Sequence, residues 1–266
     1  MLKQRVITAL ILLALLAAVL FALPVWAGWI AFALLATVAA WEWGGFLQFS
    51  SVARQALAVV MLLFCGVITL LGPVAMQWLL GLSAGLWLLI VPLWLRARWS
   101  LLAQPVLGAV VGMLLIGSTW AAMGLLHERS PWLLLGTMAV VWVADVAAYF
   151  SGRSFGKHKL APSISPGKTW EGVAGAVVGV QLYGIILLSV TPAAGLWNYG
   201  SLVAAAVLVV LTGLSVIGDL FESLLKRQAV LKDSSQLLPG HGGVLDRIDA
   251  LTSTLPLVAF LLTLTT

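Results

Sequence analysis

Apolar runs of about twenty residues recur along this chain from end to end, each long enough to cross a hydrocarbon core as an α-helix. Such runs leave little choice of fold, because a backbone in lipid must satisfy its own hydrogen bonds within a helix or a closed barrel. Barrel strands alternate apolar and polar residues, and none of these runs alternates. The expectation is an all-α, polytopic membrane protein of about nine transmembrane helices. They run over roughly 6–23, 25–41, 55–73, 76–95, 103–126, 131–151, 172–190, 198–220 and 250–265. The first two are parted by Pro24 alone and form either a tight hairpin or one long broken segment. A chain that is 62% hydrophobic and 9% charged is excluded as a soluble globular domain, where about a quarter of residues are charged.

Sidedness follows from the basic residues, which accumulate on the cytoplasmic side. With a cytoplasmic N-terminus, nine crossings put Lys3, Arg5, Arg54, Arg96, Arg98, Arg153, Lys157, Lys159, Lys168, Lys226, Arg227, Lys232 and Arg247 inside. Of the 14 Lys and Arg, Arg129 alone falls outside. The net charge of +5 is then largely a topology signal, and it also suits anionic head groups. The run after Lys3 and Arg5 is longer than a signal-peptide core of ~7–15 residues and reads as a retained anchor. Trp26, Trp94, Trp99, Trp132 and Trp197 fall near segment ends, where indole rings anchor at the interface. Cys65 lies mid-span, so no disulfide framework is expected.

The chain is uneven along its length. Residues 1–140 hold two acids, Glu42 and Glu128, and read as membrane scaffold, with Gly108, Gly112 and Gly117 at helix-packing positions. The other seven acids fall between Asp145 and Asp249, so residues 141–266 read as the catalytic half of one membrane domain. Its two long loops cover about 152–171 and 221–249.

Three constellations carry chemistry. Asp145 lies within a span, about two turns before the first loop, where a carboxylate needs a partner, a water-filled cavity or a metal. The loop beyond it offers Arg153, Lys157, Lys159 and Lys168 among Gly152, Gly156 and Gly167, a composition suited to phosphate and equally to a flexible basic loop. Gly167-Lys168-Thr169 is not a Walker A motif, which needs a further glycine five residues earlier and a strand leading in. Ser165-Pro166-Gly167 reads as a turn. In the second constellation a continuing helix puts Asp219, Glu222, Ser223 and Lys226 on one face. Pairing of Glu222 with Lys226 on a solvated face would explain Glu222 but not Asp219. The third runs from Lys232-Asp233 through Pro239-Gly240-His241-Gly242-Gly243 to Asp246-Arg247-Ile248-Asp249. Asp246 and Asp249 sit three apart at a helix start, where one acid serves as a cap. Two, with Asp219 nearby, suit an oxygen-ligand site for Mg²⁺. His241, in a turn with no evident packing role, is expected at a phosphate. Carboxylates for a divalent ion and bases for phosphates are the equipment of phosphoryl or nucleotidyl transfer.

These residues also carry a likeness. Ser223, Lys226-Arg227, Lys232-Asp233, Pro239, His241-Gly242-Gly243, Asp246-Arg247 and Asp249, at their spacing, resemble the signature of the phosphatidate cytidylyltransferases, or CDP-diacylglycerol synthases. Ser165-Pro166-Gly167-Lys168-Thr169-Trp170-Glu171-Gly172 and Gly218-Asp219-Leu220-x-Glu222-Ser223 resemble that family too. The resemblance implies that CTP and phosphatidic acid give CDP-diacylglycerol and pyrophosphate with Mg²⁺, and with a second, monovalent cation such as K⁺ in the site. It assigns catalysis to Asp219, Asp246, Lys226 and Arg227. The metal falls to Asp219 and Asp246, with Asp249 and Asp145 as further ligands or supports. Substrate contacts fall to Arg153, Lys157, Lys168, Ser223, Lys232, His241 and Arg247. The partners expected are the two substrates, the bilayer and a second copy in a homodimer, with no nucleic acid. The location expected is the bacterial inner membrane, with the site facing the cytoplasm.

An ion-coupled secondary transporter is the main rival, but it calls for charges near the bilayer midplane and for repeated halves. Here the acids gather toward one rim and no repeat is visible. A CDP-alcohol phosphotransferase needs four aspartates along two helices, of which Asp246-x-x-Asp249 is a fragment.

Overall fold

A computed structural model of the chain describes residues 2–190 and 200–264. Six helical segments come first: α1 (Leu2–Phe21), α2 (Val25–Phe46), α3 (Ser51–Leu71), α4 (Pro73–Gly85), α5 (Val91–Ala97) and α6 (Pro105–Arg129). A π turn over Leu86–Ile90 joins α4 to α5. Then follow α7 (Pro131–Phe155), β1 (Lys159–Ala161), β2 (Ser165–Thr169), α8 (Trp170–Val190), α9 (Ser201–Gln228) and α10 (Leu245–Thr263). The break at Pro24 resolves as two helices, and the π turn comes just ahead of Pro92, which has no N–H to return one turn back. Among the described residues, eight helices are long and apolar enough to cross a membrane, with Pro73–Ala97 counted as one. The ninth expected segment is also helical, but Asp246, Arg247 and Asp249 open it.

α10 is the helix around which the others gather. It packs on α9, α6, α4 and α7, and every residue from Ala250 to Ala259 is buried. Its polar side chains face inward and are satisfied there. Ser253 Oγ lies 2.8 Å from the carbonyl of Leu214 on α9. Gly218 on α9 lets the two helices close up, since a Cβ there would press on Ser253 and on the backbone of Asp249. α7 and α8 pack the same way: side chains at Gly175 or Gly179 would collide with Ser151 or Ala147. Gly108 and Gly112 are close-packing positions as expected, against Leu47 and Trp43.

Three expectations are corrected, within a helical membrane fold that holds and to which β1 and β2 add only an antiparallel hairpin, with Lys159 opposite Thr169 and Ala161 opposite Ser165. Ser165-Pro166-Gly167 is therefore strand rather than turn, and the chain reverses at 162–164. A two-stranded hairpin has only edge strands, which tolerate a proline. The helices also run further at the charged end than hydropathy suggests, α7 to Phe155 and α9 to Gln228. Asp145 is then ten residues from its helix end, about 15 Å at 1.5 Å per residue. Finally, Trp94 is a core residue, packed on Phe221 and donating to the carbonyl of Trp99 at 2.7 Å. Trp26, Trp99 and Trp132 are exposed as anchors would be. Trp197 lies outside the described residues.

The ends of the helices meet in two groups. At one end Gln48 donates to the carbonyl of Ala229, Gln228 to those of Arg98 and Trp99, and Thr8 to that of Pro239. These bonds bring the α2–α3, α5–α6 and α9–α10 connections together with the start of α1. The other end gathers Gly72, Pro73, Arg129 and Thr263 around an apolar crevice.

Candidate functional site

α9 supplies the backbone of the site. Asp219, Glu222, Ser223 and Lys226 share a face, as their spacing requires, because the helix continues without a break to Gln228. Ser223 Oγ lies 3.3 Å from Asp219 Oδ1. That face is turned inward rather than toward water. Glu222 is buried, and Lys226 Nζ sits 3.2 Å from its Oε1 and 2.7 Å from Oδ1 of Asp246 on α10. The pairing of Glu222 with Lys226 therefore exists, but in the interior, which corrects the solvated reading.

The hairpin brings a second lysine. Lys168, on β2, places its Nζ 2.7 Å from Asp219 Oδ2. The hairpin is fixed at its base by Glu171, whose carboxylate accepts from the backbone N–H of His158 at 3.2 Å and meets the imidazole Nδ1 at 2.6 Å. Thr169 Oγ1 accepts the N–H of Gly172 at 3.1 Å at the start of α8, the contact of a helix cap. Gly152 and Gly156, expected to expose N–H groups to an anion, instead make room for Thr169. Gly167 has open space where its side chain would be.

Asp145 on α7, Asp219 on α9 and Asp249 on α10 lie near enough for their charges to oppose one another. Lys168 and Arg247 offset the charge of Asp145, and Lys226 that of Asp249. Three helices thus aim carboxylates at one region, and two lysines answer them. An oxygen-rich donor set of this kind, without cysteine, is suited to Mg²⁺. Among the described residues, however, no three His, Cys, Asp or Glu gather as closely as a metal ion requires. On both acids expected to hold the ion, a lysine ammonium sits at 2.7 Å instead. Each ammonium occupies the place of a cation, so the donor set fits one in kind and sign.

The two lysines differ in how firmly they are held. Lys168 and Asp219 are about a quarter and a third exposed, and such pairs contribute ~0–1 kcal/mol. Lys226 and Asp246 are 15% and 5% exposed, and removing one partner of a buried pair costs roughly 3–5 kcal/mol. Lys168 is thus the more loosely held of the two, whereas Lys226 is part of the frame. Asp246 is held further still. Its Oδ2 accepts the N–H of Ser234 at 2.8 Å, the N–H of Gly243 at 2.8 Å and the Ser234 hydroxyl at 2.9 Å. Asp249 Oδ1 accepts only the N–H of Ala250, at 2.8 Å, among the described contacts.

The remaining expected residues frame this centre. Arg153 is in the last turn of α7, not in a loop, and donates to the Tyr149 hydroxyl at 2.7 Å. Lys157, Arg227, Lys232 and Arg247 are exposed. His241 closes a tight turn through its N–H to the carbonyl of Leu238 at 2.8 Å, and its Nδ1 is buried without a hydrogen-bond partner.

The composition of the first 140 residues concealed one participant. Glu42, on α2, is fully buried. It accepts the hydroxyls of Ser235 at 2.6 Å and Ser234 at 3.0 Å, and the N–H groups of Val244 at 2.9 Å and Leu245 at 2.7 Å. The signal was present: an acid inside an apolar span is costly and needs a partner. Its partners lie some two hundred residues away, and no local pattern points to them. His158 and Glu171, thirteen residues apart, were missed as a pair because the hairpin that brings them together was read as a loop.

Comparison with known proteins identifies the family. The model of the "Cytidylyltransferase family" matches residues 3–265. A phosphatidate cytidylyltransferase of Pseudomonas aeruginosa is 40% identical over 98% of this chain and 97% of its own length. One from Brucella suis is 37% identical over 74% of this chain and 69% of its own. One from Haemophilus influenzae reaches 49% over 48% and 44%. With the match running through the scaffold helices as well as the charged end, the chain belongs to the cytidylyltransferase family.

Proposed function

We propose that the chain is a phosphatidate cytidylyltransferase, which joins CTP to phosphatidic acid to give CDP-diacylglycerol and pyrophosphate. The observation that carries this reading is the pair of lysine–aspartate contacts, Lys168–Asp219 and Lys226–Asp246, set among carboxylates from α7, α9 and α10 at one rim of a membrane bundle.

In this reading an oxygen of the lipid phosphate attacks the α-phosphorus of CTP. The bond from that phosphorus to the bridging oxygen breaks, and pyrophosphate leaves with the electron pair. A phosphate monoester with a second pKa near 6 is already mostly dianionic at neutral pH, so no strong general base is needed. The chain's task is to position anions and offset their charge. Lys168, on its hairpin, leaves Asp219 to hold a CTP phosphate, while Arg153, Lys157, Lys232 and Arg247 draw both substrates to the rim. Ser223 and His241 offer hydrogen bonds, the latter through its unsatisfied ring nitrogen. Lys226 keeps Asp246 in place, and Arg227 adds charge beside it. Asp219 would hold Mg²⁺, with Asp249, Asp145 and Asp246 as further ligands or supports. Mg²⁺ supplies charge neutralisation on the phosphate oxygens. A monovalent cation belongs to the same proposal. So do a homodimer, a cytoplasmic N-terminus and a place in the bacterial inner membrane with the site facing the cytoplasm.

The test is pyrophosphate release by the purified protein in detergent, given CTP, phosphatidic acid and Mg²⁺. Release that needs all three, and stops with chelator, is the expected outcome. No release across a range of Mg²⁺ and lipid would end the reading.

A further inference from the structure

Glu42 has no part in the constellations read from the sequence, yet it accepts four hydrogen bonds from the charged loop, as many as Asp246 does. Its Oε1 accepts from Ser235 Oγ and the N–H of Val244, and its Oε2 from Ser234 Oγ and the N–H of Leu245. The two N–H groups belong to the residue before α10 and to its first residue, where a helix leaves donors unsatisfied and a negative charge is favoured. Glu42 therefore caps α10 from another helix. Gly243, next to these donors, is held so close that any Cβ would overlap both Glu42 and Ser234. Arg54, the first basic residue after α2, offsets the Glu42 charge.

The bond that matters is the one through Ser234. Its hydroxyl lies 3.0 Å from Glu42 Oε2 and 2.9 Å from Asp246 Oδ2, while its backbone N–H donates to the same Asp246 oxygen at 2.8 Å. A hydroxyl has one proton to give, so it serves either carboxylate in turn. Asp246 can thus give up the hydroxyl without leaving it unpaired, because Glu42 receives it. The carboxylate at position 42 fixes where the segment 234–245 lies, and that segment fixes Asp246.

We propose that Glu42 is a positioning residue for transfer, acting on Asp246 through Ser234, Gly243 and the start of α10. The inference rests on the cytidylyltransferase reading of the site. It makes α2 part of the catalytic machinery rather than scaffold.

Glu42→Gln keeps the size of the side chain but offers an amide where two acceptor oxygens are needed. In the full-length protein in detergent it is expected to lower kcat about a hundredfold, as a small misplacement does, and to raise the Mg²⁺ needed for half-maximal rate. The KM for CTP stays near that of the parent, while the thermal unfolding midpoint falls, because buried donors are left unpaired. Cleavage after Lys232 by a lysine-specific protease, measured without substrate or metal, is expected to accelerate. Ser235→Ala, which removes one of the four bonds, falls between. If Glu42→Gln does not fold, Ser235→Ala carries the test alone, because it takes a bond from Glu42 and leaves the Ser234–Asp246 contact in place. Faster cleavage with unchanged kcat would overturn the proposal, and so would lost activity with unchanged cleavage. An inactive parent protein would instead overturn the assigned reaction, and the cleavage comparison would still report whether Glu42 holds the segment.

Discussion

Two lysines at 2.7 Å from two aspartates look equivalent on paper and are not. Lys168 stands at a partly open pair, where solvent screens most of the attraction, while Lys226 is enclosed with Asp246 and Glu222. Lys168→Met is expected to leave the stability within about 1 kcal/mol of the parent and to lower kcat/KM for CTP about a hundredfold, the scale of losing one transition-state contact. Lys226→Met is expected to cost roughly 3–5 kcal/mol of stability, because it leaves Asp246 and Glu222 buried together without a cation. Thermal unfolding in detergent and initial rates on the same preparations separate the two. A Lys168 variant that unfolds as readily as the Lys226 variant would contradict the division.

At the scale of elements, the segments' existence was legible and their ends were not. Hydropathy fades as soon as charge appears, so it stops short of Phe155 and Gln228, although the helices continue. α9 keeps going because Asp219, Glu222 and Lys226 find partners at helical spacing and across to α10. The hairpin was hidden by Ser165-Pro166-Gly167, residues that usually mark a turn. It forms because Lys168 and Thr169 are drawn to α9 and to the start of α8. The α7–α8 pair depends on its glycines. Gly175→Leu would drive a side chain into Ser151, with an expected loss of about 1–3 kcal/mol from overpacking. Gly213→Leu, on α9 where nothing lies within reach of an added Cβ, is the control. A Gly175 variant as stable as this control, by thermal unfolding, would show that the close approach is dispensable.

For the whole molecule, the site's residue types were readable but their grouping was not. Sequence spacing joined Asp246 to Asp249, since both open one helix. In the fold Asp246 answers to Lys226 and the 234–243 segment, while Asp249 faces Asp145 and Asp219. Glu42 could be found only by asking what an acid in an apolar span was for. Sidedness is open to direct measurement. In a Cys65→Ala background, Arg129→Cys and Arg98→Cys sit at opposite ends of the bundle. A membrane-impermeant maleimide added to intact cells is expected to label the variant at 129 and to spare the one at 98 until the membrane is opened. The reverse pattern would invert the topology.

The length of α9 has a further consequence. Its twenty-eight residues extend about 42 Å at 1.5 Å per residue, well beyond a hydrocarbon core of ~30 Å, and Asp219 lies nine residues from its end. With the overhang of about 12 Å at the charged end, Asp219, about 13.5 Å from that end, lies at the level of the core's boundary. One reactant arrives from solution and one leaving group returns to it, while the diacylglycerol portion travels sideways and never leaves its leaflet. Supply on the lipid side is then a two-dimensional matter. The rate follows how crowded the surface is with phosphatidic acid, and diluting that surface with inert lipid slows the reaction even when the amount in the vessel is unchanged.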